Sequence, residues 1–338
     1  MPENRSAVVS EEAPPNKGHI AVPRTGALSL AFRLLLVGAV CLWVANHYLA
    51  ILVTGKAFYH KLQGVPVNCS YASLSHIGWD ALQLEELYRN SKQEVDVVGE
   101  DESLKIVQVR SQERRFWAPA GGSALDGKLL IAYLLAEHRF MEQANPNQQV
   151  QPGSVVVDVG GHVGVFTHFA LKRGAAKVIA FEPQPTNAAC FKRNLKNEID
   201  SGRVILIEKG LWSSGGVLKL YTGGKNSGMA SMVLKDSESY VEVPVVTLDQ
   251  IVDELKLERV DYIKMDIEGA EREALAGSVK TMKNYRPVVM LDFYHRPDDP
   301  QVLPGLLKKA HADYSMTCGP CEFKEAAKSA SPHVAYFH

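Results

Sequence analysis

Short apolar runs and amphipathic stretches alternate along the second half of the chain. Strand-like runs occur at 155–159, 177–181, 204–208, 261–266 and 288–293, and helical spacing occurs at 163–173, 186–199, 248–257, 269–283 and 301–312. Unbroken β-branched runs such as Val155–Val157 are typical of parallel strands that are covered on both faces. The alternation predicts a doubly wound parallel α/β sheet, whose ligands bind at the carboxyl ends of the strands.

The region before this sheet has a different pattern. Val95–Val98, Lys105–Val109 and Arg114–Trp117 alternate polar and apolar residues and predict three short antiparallel strands. Residues 126–144 carry apolar residues at helical spacing, which predicts a helix beside the main sheet. The sequence therefore predicts a stem with accessory strands over 54–124, with a short helix near 80–89, and a main domain over 125–338.

The N-terminal region predicts a tail and a membrane anchor. Residues 1–27 are rich in Pro, Glu, Ser and Asn and predict a disordered tail. Residues 34–53 contain no formal charge, and a helix of that length spans about 30 Å, the thickness of a bilayer core. Asn46 and His47 interrupt the run, so a buried amphipathic helix is the alternative. We expect a single-pass transmembrane helix, and flanking Lys and Arg residues favour a translocated main domain only weakly.

Composition narrows the functional classes. The 338 residues are 46% hydrophobic and 22% charged, which suits one large α/β domain with extensions. A formal net charge of -1 and a pI near 6.8 give no global basic field, so no nucleic-acid partner is expected. Of five cysteines, Cys41 lies in the predicted anchor, and the other four could pair or stay free.

A glycine-rich turn follows the first strand of the predicted sheet. Asp158 precedes Gly160, Gly161 and Gly164, and Glu182 closes the next strand 22 residues after Gly160. Glycine lets the backbone approach a ligand closely, and an acid at this distance suits a ribose diol. The turn therefore predicts a nucleotide-binding unit, with an unrelated glycine turn as the alternative.

The glycine spacing distinguishes between two classes of nucleotide. A dinucleotide fingerprint needs glycines at i, i+2 and i+5, but counting from Gly160 these last two positions hold His162 and Val165. The order Asp158-x-Gly160-Gly161-x-x-Gly164 instead resembles motif I of the class I S-adenosylmethionine-dependent methyltransferases. A carboxylate here suits a ligand that carries an ammonium and a sulfonium, whereas it would repel a pyrophosphate. NAD is the alternative ligand.

A second signature, YIKMDIEGAE, occupies residues 262–271 at the fourth strand. Together with Asp158–Gly164, Glu182-Pro183, Asn194 and Thr247-Leu248-Asp249, it resembles the FkbM family of methyltransferases over about residues 125–320. The resemblance implies a class I methyltransferase (Rossmann-like) fold and S-adenosyl-L-methionine as methyl donor. It also implies O-methylation of a hydroxyl on a sugar, glycan or secondary metabolite.

The resemblance also implies positions for the two substrates. Asp158, Gly160, Gly161 and Gly164 would line the methionine end of the donor site, Glu182 would hold the ribose hydroxyls, and Lys264, Asp266 and Glu268 would face the acceptor. The chain departs from the family pattern at Gly161-His162, where Ala-Asn is usual, so the contact of His162 with the donor differs from that of the Asn. It departs again after Asp292, where Phe293-Tyr294-His295 follows.

Methyl transfer to a hydroxyl requires alignment of the reactants and a base near the hydroxyl proton. Asp266 is the first candidate, with Glu268 in support, because both lie at the end of a strand beside the expected methyl position. His295 is the second candidate and His162 the third. The structural alternative is that these acids cap the following helix, which is the interpretation preferred for Glu271.

Two further clusters allow alternative interpretations. Asp266, Glu268 and Asp292 could offer oxygen ligands to a divalent metal, but no spacing compels it, so the sequence predicts a metal-independent enzyme. Cys318-Gly-Pro-Cys321 matches a redox CxxC pattern with a possible helix at 322–329, although a disulfide is favoured over a redox role. Residues 223–232 predict either a loop over the acceptor site or a plain hairpin loop.

Three functions stand at this stage. The favoured one is a membrane-anchored S-adenosylmethionine-dependent methyltransferase with a small-molecule or glycan acceptor. The second is a nicotinamide-dependent oxidoreductase, and the third is a non-catalytic donor-binding protein on a degenerate methyltransferase scaffold, for which His162 is the hint.

Overall fold

The structure is a computed structural model of the 338-residue chain. It describes residues 25–63, 69–121, 127–222, 227–235, 238–324 and 329–338, so all but the last three residues of the predicted tail at 1–27 lie outside the described residues. The chain divides into two compact units, Met1–Tyr48 and Leu49–His338. The second unit contains both the predicted accessory region and the predicted main domain.

The segment predicted to span a membrane is not one continuous helix. Helix α1, Thr25–Asn46, and helix α2, Tyr48–Leu62, are separated at His47. The Nδ1 atom of His47 lies 2.8 Å from the carbonyl oxygen of Trp43, so the imidazole contacts the last turn of α1. No helix among the described residues is long and apolar enough to cross a bilayer. The predicted transmembrane helix over 34–53 is thus not shown, because this segment contains the end of α1 and the start of α2.

Helix α3, Tyr71–Glu94, extends the predicted short helix near 80–89 to 24 residues. Ser70 begins it, and its hydroxyl accepts a hydrogen bond from the backbone N–H of Ser73. Gly78 lies where α3 meets α2, and a Cβ there would lie 2.0 Å from the carbonyl oxygen of Ala50. The two helices therefore pack backbone against backbone at this glycine.

Three antiparallel strands follow, as predicted. They are β1 (Asp96–Asp101), β2 (Ile106–Arg110) and β3 (Arg115–Pro119), paired in that order. Helix α4, Lys128–Ala144, packs Ile131 and Leu135 against Phe116 of this sheet, and all three side chains are fully buried. A 3₁₀ turn at Pro146–Gln148 then leads to the main sheet.

Strands and helices alternate through the rest of the chain. In order they are β4 Val155–Val159, α5 Val165–Lys172, β5 Lys177–Phe181, α6 Pro185–Asn194, α7 Lys196–Asp200, β6 Val204–Ile207, β7 Gly210–Leu211, β8 Gly216–Tyr221, β9 Tyr240–Val246, α8 Leu248–Glu254, β10 Tyr262–Met265, α9 Glu271–Ala276, α10 Val279–Tyr285, β11 Val288–Asp292, α11 Asp299–Ala310, β12 Met316–Cys318, β13 Cys321–Lys324, β14 Ser329–Pro332 and β15 Val334–Phe337. The predicted helices 186–199 and 269–283 are each divided into two. The second division lies at Gly277, where a Cβ would lie 2.0 Å from the carbonyl oxygen of Trp212.

Seven strands form the main sheet, in the order β12-β15-β11-β10-β4-β5-β6. Strands β4, β5, β6, β10 and β11 are parallel, whereas β15 is antiparallel to both of its neighbours. The chain runs outward from β4 in one direction and then returns to add β10 and β11 on the other side. This is the predicted doubly wound class I α/β sheet, with an antiparallel strand that makes it mixed.

The main sheet is buried on both faces, which explains its near-continuous apolar strands. On one face Val157, Ile263 and Leu291 pack with side chains from α8 to α11. On the other face Val156, Tyr262 and Tyr336 pack with side chains from α4, α5 and α6. The sheet therefore fixes rigidly the ends of the strands from which the candidate site residues project.

The C-terminal cysteines do not form the redox pair that CxxC suggests. Cys321 is joined by a disulfide to Cys69, 252 residues away in sequence, and Cys318 is a free thiol. The possible helix at 322–329 is wrong where the structure describes it, because β13 and β14 pair as antiparallel strands there. The remaining three-stranded sheet, β7-β9-β8, lies between β6 and α8 in sequence.

Candidate active site

A cavity of about 400 Å³ opens where the carboxyl ends of β4, β5, β10 and β11 meet the start of β15. Its walls include backbone and side-chain atoms of Tyr133, Glu137, His138, Gly160, Gly161, His162, Phe166, Glu182, Pro183, Leu211, Ser227, Met229, Met232, Lys264, Asp266, Glu268, Asp292, Tyr294 and His333. The position is the one at which doubly wound sheets bind ligands, and the size is typical of ligand sites. We call Gly160–His162 together with Glu182 the donor end of the cavity, and we call the ionisable side chains around Asp266 its acceptor end.

Gly160 and Gly161 form the turn that closes the donor end. Gly160 has a φ of +84°, and a Cβ there would lie 2.0 Å from the carbonyl oxygen of Asp266. A Cβ on Gly161 would lie 3.0 Å from the ring of Phe191. The backbone N–H groups of both glycines donate to the carbonyl oxygen of Phe181, at 3.1 and 2.9 Å. Glycine is therefore required at position 160, where the backbone passes between two strand ends, whereas a Cβ at position 161 would only press on the ring of Phe191.

His162 occupies the position where the family pattern has Asn. Its φ is +48°, in the left-handed region that Asn and His adopt more readily than most residues. Its backbone N–H donates to Oε2 of Glu182 at 2.7 Å, and its Nε2 lies 3.0 Å from the hydroxyl of Ser227. The turn therefore keeps its shape with His at this position, and the imidazole connects it to the segment at 227–229.

Glu182 lies at the end of β5, and its side chain is almost fully buried in the cavity wall. Its two carboxylate oxygens accept backbone hydrogen bonds from His162 and Gln184, at 2.7 and 2.8 Å. Burial raises the pKa of Glu182 to about 7, although these hydrogen bonds oppose the rise. The carboxyl is fixed in place, and it titrates near neutral pH.

Asp158 and Gly164, which were predicted to contact the donor, lie outside the cavity wall. Asp158 is fully buried beneath the turn, where it accepts a hydrogen bond from the hydroxyl of Thr167 at 2.6 Å. Burial raises the pKa of Asp158, and the nearby Lys264 partly offsets that rise. Gly164 has a φ of +86° and begins α5, where a Cβ would lie 2.7 Å from Leu195. Both residues shape the turn from below, and their contact with the donor stays a prediction.

Lys264 joins the two ends of the cavity. Its Nζ donates to the carbonyl oxygen of Gly160 at 2.8 Å and lies 3.5 Å from Oδ1 of Asp158 and 3.8 Å from Oδ2 of Asp266. Burial would lower the pKa of Lys264, but Asp158 and Asp266 outweigh it and hold the pKa above its usual value. The lysine is therefore a buried cation that pins the glycine turn of β4 to the end of β10.

The predicted catalytic residues Asp266, Glu268 and His295 do lie together. Nε2 of His295 is 3.8 Å from Oδ1 of Asp266 and 3.5 Å from Oε2 of Glu268, while its Nδ1 is 2.9 Å from Oε1 of Glu271. Asp266 and Glu268 line the cavity, whereas the side chain of His295 is only 3% exposed and lies behind them. Glu271 is fully buried, in agreement with its predicted structural role.

The charges in this cluster compensate one another. Burial raises the pKa of Asp266, but Lys264 and His295 outweigh it and hold that pKa below its usual value. Burial lowers the pKa of His295, but the hydrogen bond with Glu271 and the nearby carboxylates raise it to about 10. Burial, with Asp266 nearby, raises the pKa of Asp292 well above its usual value. Lys264 and His295 therefore favour the ionised form of Asp266, whereas burial and Asp266 favour the protonated form of Asp292.

Several residues of the acceptor end were not predicted from the sequence. Glu137 on α4 lies 3.0 Å from Nε2 of His333 and accepts a hydrogen bond from the hydroxyl of Tyr133 at 3.2 Å. Burial lowers the pKa of His333, but its hydrogen bonds with Glu137 and Glu322 raise it well above the usual value. Glu137 and His333 are 196 residues apart, so no local spacing could have indicated their contact.

The predicted loop at 223–232 is described only in part. Residues 223–226 lie outside the described residues, and Ser227–Met229 form a 3₁₀ turn. Ser227, Met229 and Met232 line the cavity, so the described part of this segment lies against the site, and a loop over the acceptor stays a prediction. Ser231 donates a hydrogen bond to the carbonyl oxygen of Glu268 at 2.6 Å, which anchors this segment to the acceptor end.

The other residues of the family pattern are structural. The side-chain amide of Asn194 bonds the backbone of Trp117 and Val163. Thr247 caps α8, and Asp249 accepts hydrogen bonds from the backbone at the start of α10. These residues hold the helices around the sheet and do not reach the cavity wall.

Comparison with known proteins gives matches to methyltransferases. The model of the methyltransferase FkbM domain matches residues 158–316. The 31-O-demethyl-FK506 methyltransferase FkbM of Streptomyces tacrolimicus is 29% identical over 158 residues, which cover 38% of this chain and 61% of that protein. Methyltransferase sdnD of Sordaria araneosa is 31% identical over 154 residues, covering 36% of this chain and 59% of that protein.

Two further similarities extend over more of the chain. The hexuronic acid methyltransferase AglP of Haloferax volcanii is 26% identical over 171 residues, which cover 50% of this chain and 68% of that protein. The crystal structure of methyltransferase FkbM from Methylobacillus flagellatus is 16% identical with a TM-score of 0.43, covering 81% of this chain and 64% of that one. The matches to the Streptomyces and Sordaria proteins thus span less than two thirds of those relatives.

Proposed function

We propose that the protein transfers a methyl group from S-adenosyl-L-methionine to a hydroxyl of a sugar, glycan or secondary metabolite, because residues 158–316 match the model of the methyltransferase FkbM domain. The observation that carries the proposal is one cavity with a nucleotide-type turn at one end and an ionised carboxylate, Asp266, at the other. Reactants bound at the two ends would meet near Lys264, within reach of Asp266.

The donor end suits the nucleoside of S-adenosylmethionine. Glu182 presents a fixed carboxylate that can accept hydrogen bonds from both ribose hydroxyls. Gly160 and Gly161 bring bare backbone to the cavity, so the aminoacyl part of the donor can approach without meeting a Cβ. His162 would contact the same part of the donor. The acidic surroundings favour a cationic ligand over a pyrophosphate.

The acceptor end can position a hydroxyl and take its proton. The donor supplies a methyl carbon that its positive sulfur already activates, so alignment and removal of one proton are the chain's main tasks. Asp266 is ionised and lies in the wall of the cavity, and we assign it the role of proton acceptor. His295 lies 3.8 Å from Asp266 and 3.5 Å from Glu268 and contributes to the charge balance around both carboxylates.

The names of the relatives support an oxygen acceptor. One relative acts on 31-O-demethyl-FK506, and another acts on a hexuronic acid. The acceptor end here carries Tyr133, Glu137 and His333, which can exchange hydrogen bonds with a polyhydroxylated molecule. We therefore propose an acceptor with several hydroxyl groups.

Methyl transfer from isotopically labelled donor tests this proposal. The full chain would be incubated with S-adenosyl-L-methionine carrying a deuterated methyl group and with a panel of sugars, uronic acids and polyketide metabolites. We expect mass spectrometry to find one labelled methyl on an acceptor with wild-type protein and at least about 100-fold slower labelling with Asp266→Asn. Donor binding without methyl transfer to any acceptor would instead favour a non-catalytic donor-binding protein on a degenerate methyltransferase scaffold. Binding of NAD would favour a nicotinamide-dependent oxidoreductase.

We also propose that the domain works in an oxidising compartment. This agrees with the Lys and Arg residues that flank the predicted anchor, which weakly favour a translocated domain. The support is the disulfide between Cys69 and Cys321, because such bonds persist mainly outside reducing cytosol. Peptide mapping of protein from its native source, without reduction, should recover the linked pair. Recovery of both residues as free thiols would contradict the proposal.

A further inference from the structure

The imidazole of His295 is held in one orientation from behind. Its Nδ1 lies 2.9 Å from Oε1 of Glu271, and the same oxygen accepts the backbone N–H of Ile267 at 3.1 Å. An ionised carboxylate can only accept, so Nδ1 carries a proton and donates a hydrogen bond to Oε1 of Glu271. Pairing of this kind fixes the orientation of the ring, as it does for histidines whose other nitrogen binds a metal.

The other nitrogen of His295 points into the acid cluster. Among the described residues, Nε2 has no hydrogen-bond partner, although the side chain is only 3% exposed. The two nearest charged atoms are Oε2 of Glu268 at 3.5 Å and Oδ1 of Asp266 at 3.8 Å. A buried polar atom that faces two carboxylate oxygens without bonding either one indicates a ligand between the three groups.

The separations fit a single cation. One ligand atom from each of Asp266, Glu268 and His295 lies within 4.8 Å of the other two. Atoms that bind the same ion at about 2.0–2.3 Å lie about 3–4 Å from one another, close to the separations found here. Lys264 does not fill this place, because it faces the other oxygen of Asp266, at 3.8 Å from Oδ2.

The ligand types narrow the choice of ion. Two carboxylates and one imidazole combine hard oxygen with the nitrogen that first-row transition metals prefer, which favours Mn²⁺ or Zn²⁺ over Ca²⁺. Asp266 and Glu268 line the cavity, so coordination positions on that side would stay open to an acceptor. A site with three protein ligands and open positions is the arrangement of catalytic metals.

We propose that Asp266, Glu268 and His295 bind one divalent transition-metal cation, which holds an acceptor through two adjacent oxygens, as in a vicinal diol or a 2-hydroxy acid. The second part of this proposal rests on the proposed function, whereas the metal site itself does not. It departs from the metal-independent enzyme that the sequence predicts.

The cation would lower the pKa of the hydroxyl that it binds. The hydroxyl oxygen then forms a bond to the methyl carbon, the bond from that carbon to sulfur breaks, and its electron pair stays on the sulfur as a neutral thioether. The hydroxyl proton passes to Oδ2 of Asp266, the oxygen that faces Lys264. Binding of the ion requires loss of any proton on Nε2 of His295, so a proton and the metal compete for this atom.

Electron paramagnetic resonance with Mn²⁺ tests the metal site without any acceptor. Titration of the full chain, freed of metal with chelator, should remove the signal of free Mn²⁺ up to one ion per chain. Glu271→Gln loses only the contact that supports His295, and we expect it to weaken Mn²⁺ binding by roughly 10- to 100-fold. His295→Gln removes a ligand and should weaken Mn²⁺ binding at least as much. His311→Gln is the matched control, because His311 lies beside Asp313 and Tyr314 and outside the cavity wall, and this variant should bind as wild type.

Spin-echo measurements on the wild type give an answer even if the variants fold poorly. Bound Mn²⁺ should show modulation from a directly coordinated imidazole nitrogen. Absence of binding, equal binding by His295→Gln and His311→Gln, or no nitrogen modulation would overturn the metal site. Calorimetry with S-adenosylmethionine on the same metal-free protein tests the proposed function separately, because the donor end contains none of the three ligands.

Discussion

The donor end of the cavity is built mainly from backbone, whereas the acceptor end is built from ionisable side chains. At the donor end, Gly160 and Gly161 leave space for a ligand, and Glu182 is fixed by two backbone N–H groups. At the acceptor end, Asp266 and His333 belong to a network of charges that depends on α4, β10 and β15 together. The donor end can therefore be rigid before any ligand binds, while the acceptor end depends on compensation among its charges.

This difference separates binding from chemistry. A donor common to many enzymes is held by a turn whose shape depends on few side chains. The acceptor, which differs between enzymes, is held by side chains that can change without altering the turn. Lys264 is the exception, because it bonds Gly160 at one end and lies beside Asp266 at the other. Variants that affect one end only should confirm the separation, and variants at Lys264 should affect both.

The largest expected effect is that of Gly160→Ala, which disrupts the donor turn. The new Cβ would meet the carbonyl oxygen of Asp266 at 2.0 Å at a φ of +84°, so we expect a loss of about 4 kcal/mol or more in the free energy of unfolding and no donor binding. Chemical denaturation and calorimetry measure the two effects. Gly202→Ala is the matched control, since Gly202 has a φ of +74° with nothing within 4 Å of the Cβ. It should cost only about 1–2 kcal/mol, and equal losses would contradict the account.

Asp266→Asn should separate the two ends most clearly. Without an ionised carboxylate to take the hydroxyl proton, kcat should fall by about 10²- to 10⁴-fold. The dissociation constant of S-adenosylmethionine should stay within about threefold of wild type, because the donor end is unchanged. Asp313→Asn, at an exposed position, serves as a control and should change neither quantity. A large loss of donor affinity in Asp266→Asn would show that the ends are not separable.

Glu182→Gln should change donor affinity and its pH dependence. Glu182 has a pKa of about 7 because of burial, and its charged form accepts the ribose hydroxyls. The affinity of the wild type for S-adenosylmethionine should therefore be constant above about pH 7. Below pH 7 it should fall by up to about tenfold for each pH unit. The Gln variant should bind about 10- to 100-fold more weakly above pH 7, with no step there. Calorimetry between pH 6 and 8.5 checks this, and a parallel step in both proteins would assign the titration to another group.

Cys69→Ser should have the smallest effect on the cavity. The disulfide to Cys321 anchors the start of the hairpin that leads to His333, so its loss should lower the free energy of unfolding by about 2–5 kcal/mol. Donor affinity should be unchanged, while any loss should appear in the KM of the acceptor. Cys41→Ser, at an exposed free thiol, should leave the melting temperature unchanged. A change in donor affinity without a change in stability would contradict this assignment.

The fold and the donor end could be predicted well because their signals are local. Strands β4 and β5 have the predicted bounds, since buried parallel strands give unbroken apolar runs. The glycine turn and Glu182 fall within one βαβ unit, so their spacing alone indicated their contact. The burial of Asp158 beneath the turn could not be predicted, because the sequence gives its position along β4 but not the side of the turn on which its carboxylate lies.

The acceptor end and the N-terminal helices could be predicted only in part. Asp266 and Glu268 follow one strand and were found, but Glu137 and His333 meet only in the folded chain. The sequence could not predict that Cys321 pairs with Cys69 and not with Cys318, because the pairing depends on how α3 packs against β13. The apolar run at 34–53 predicted the length of one helix, but it did not indicate that α1 ends at Asn46.

Calorimetric titration of the metal-free full chain with S-adenosyl-L-methionine tests the central claim most directly. The account predicts one donor molecule per chain, with binding abolished by Gly160→Ala and retained by Asp266→Asn. No binding of S-adenosyl-L-methionine, or saturable binding of NAD in its place, would contradict it.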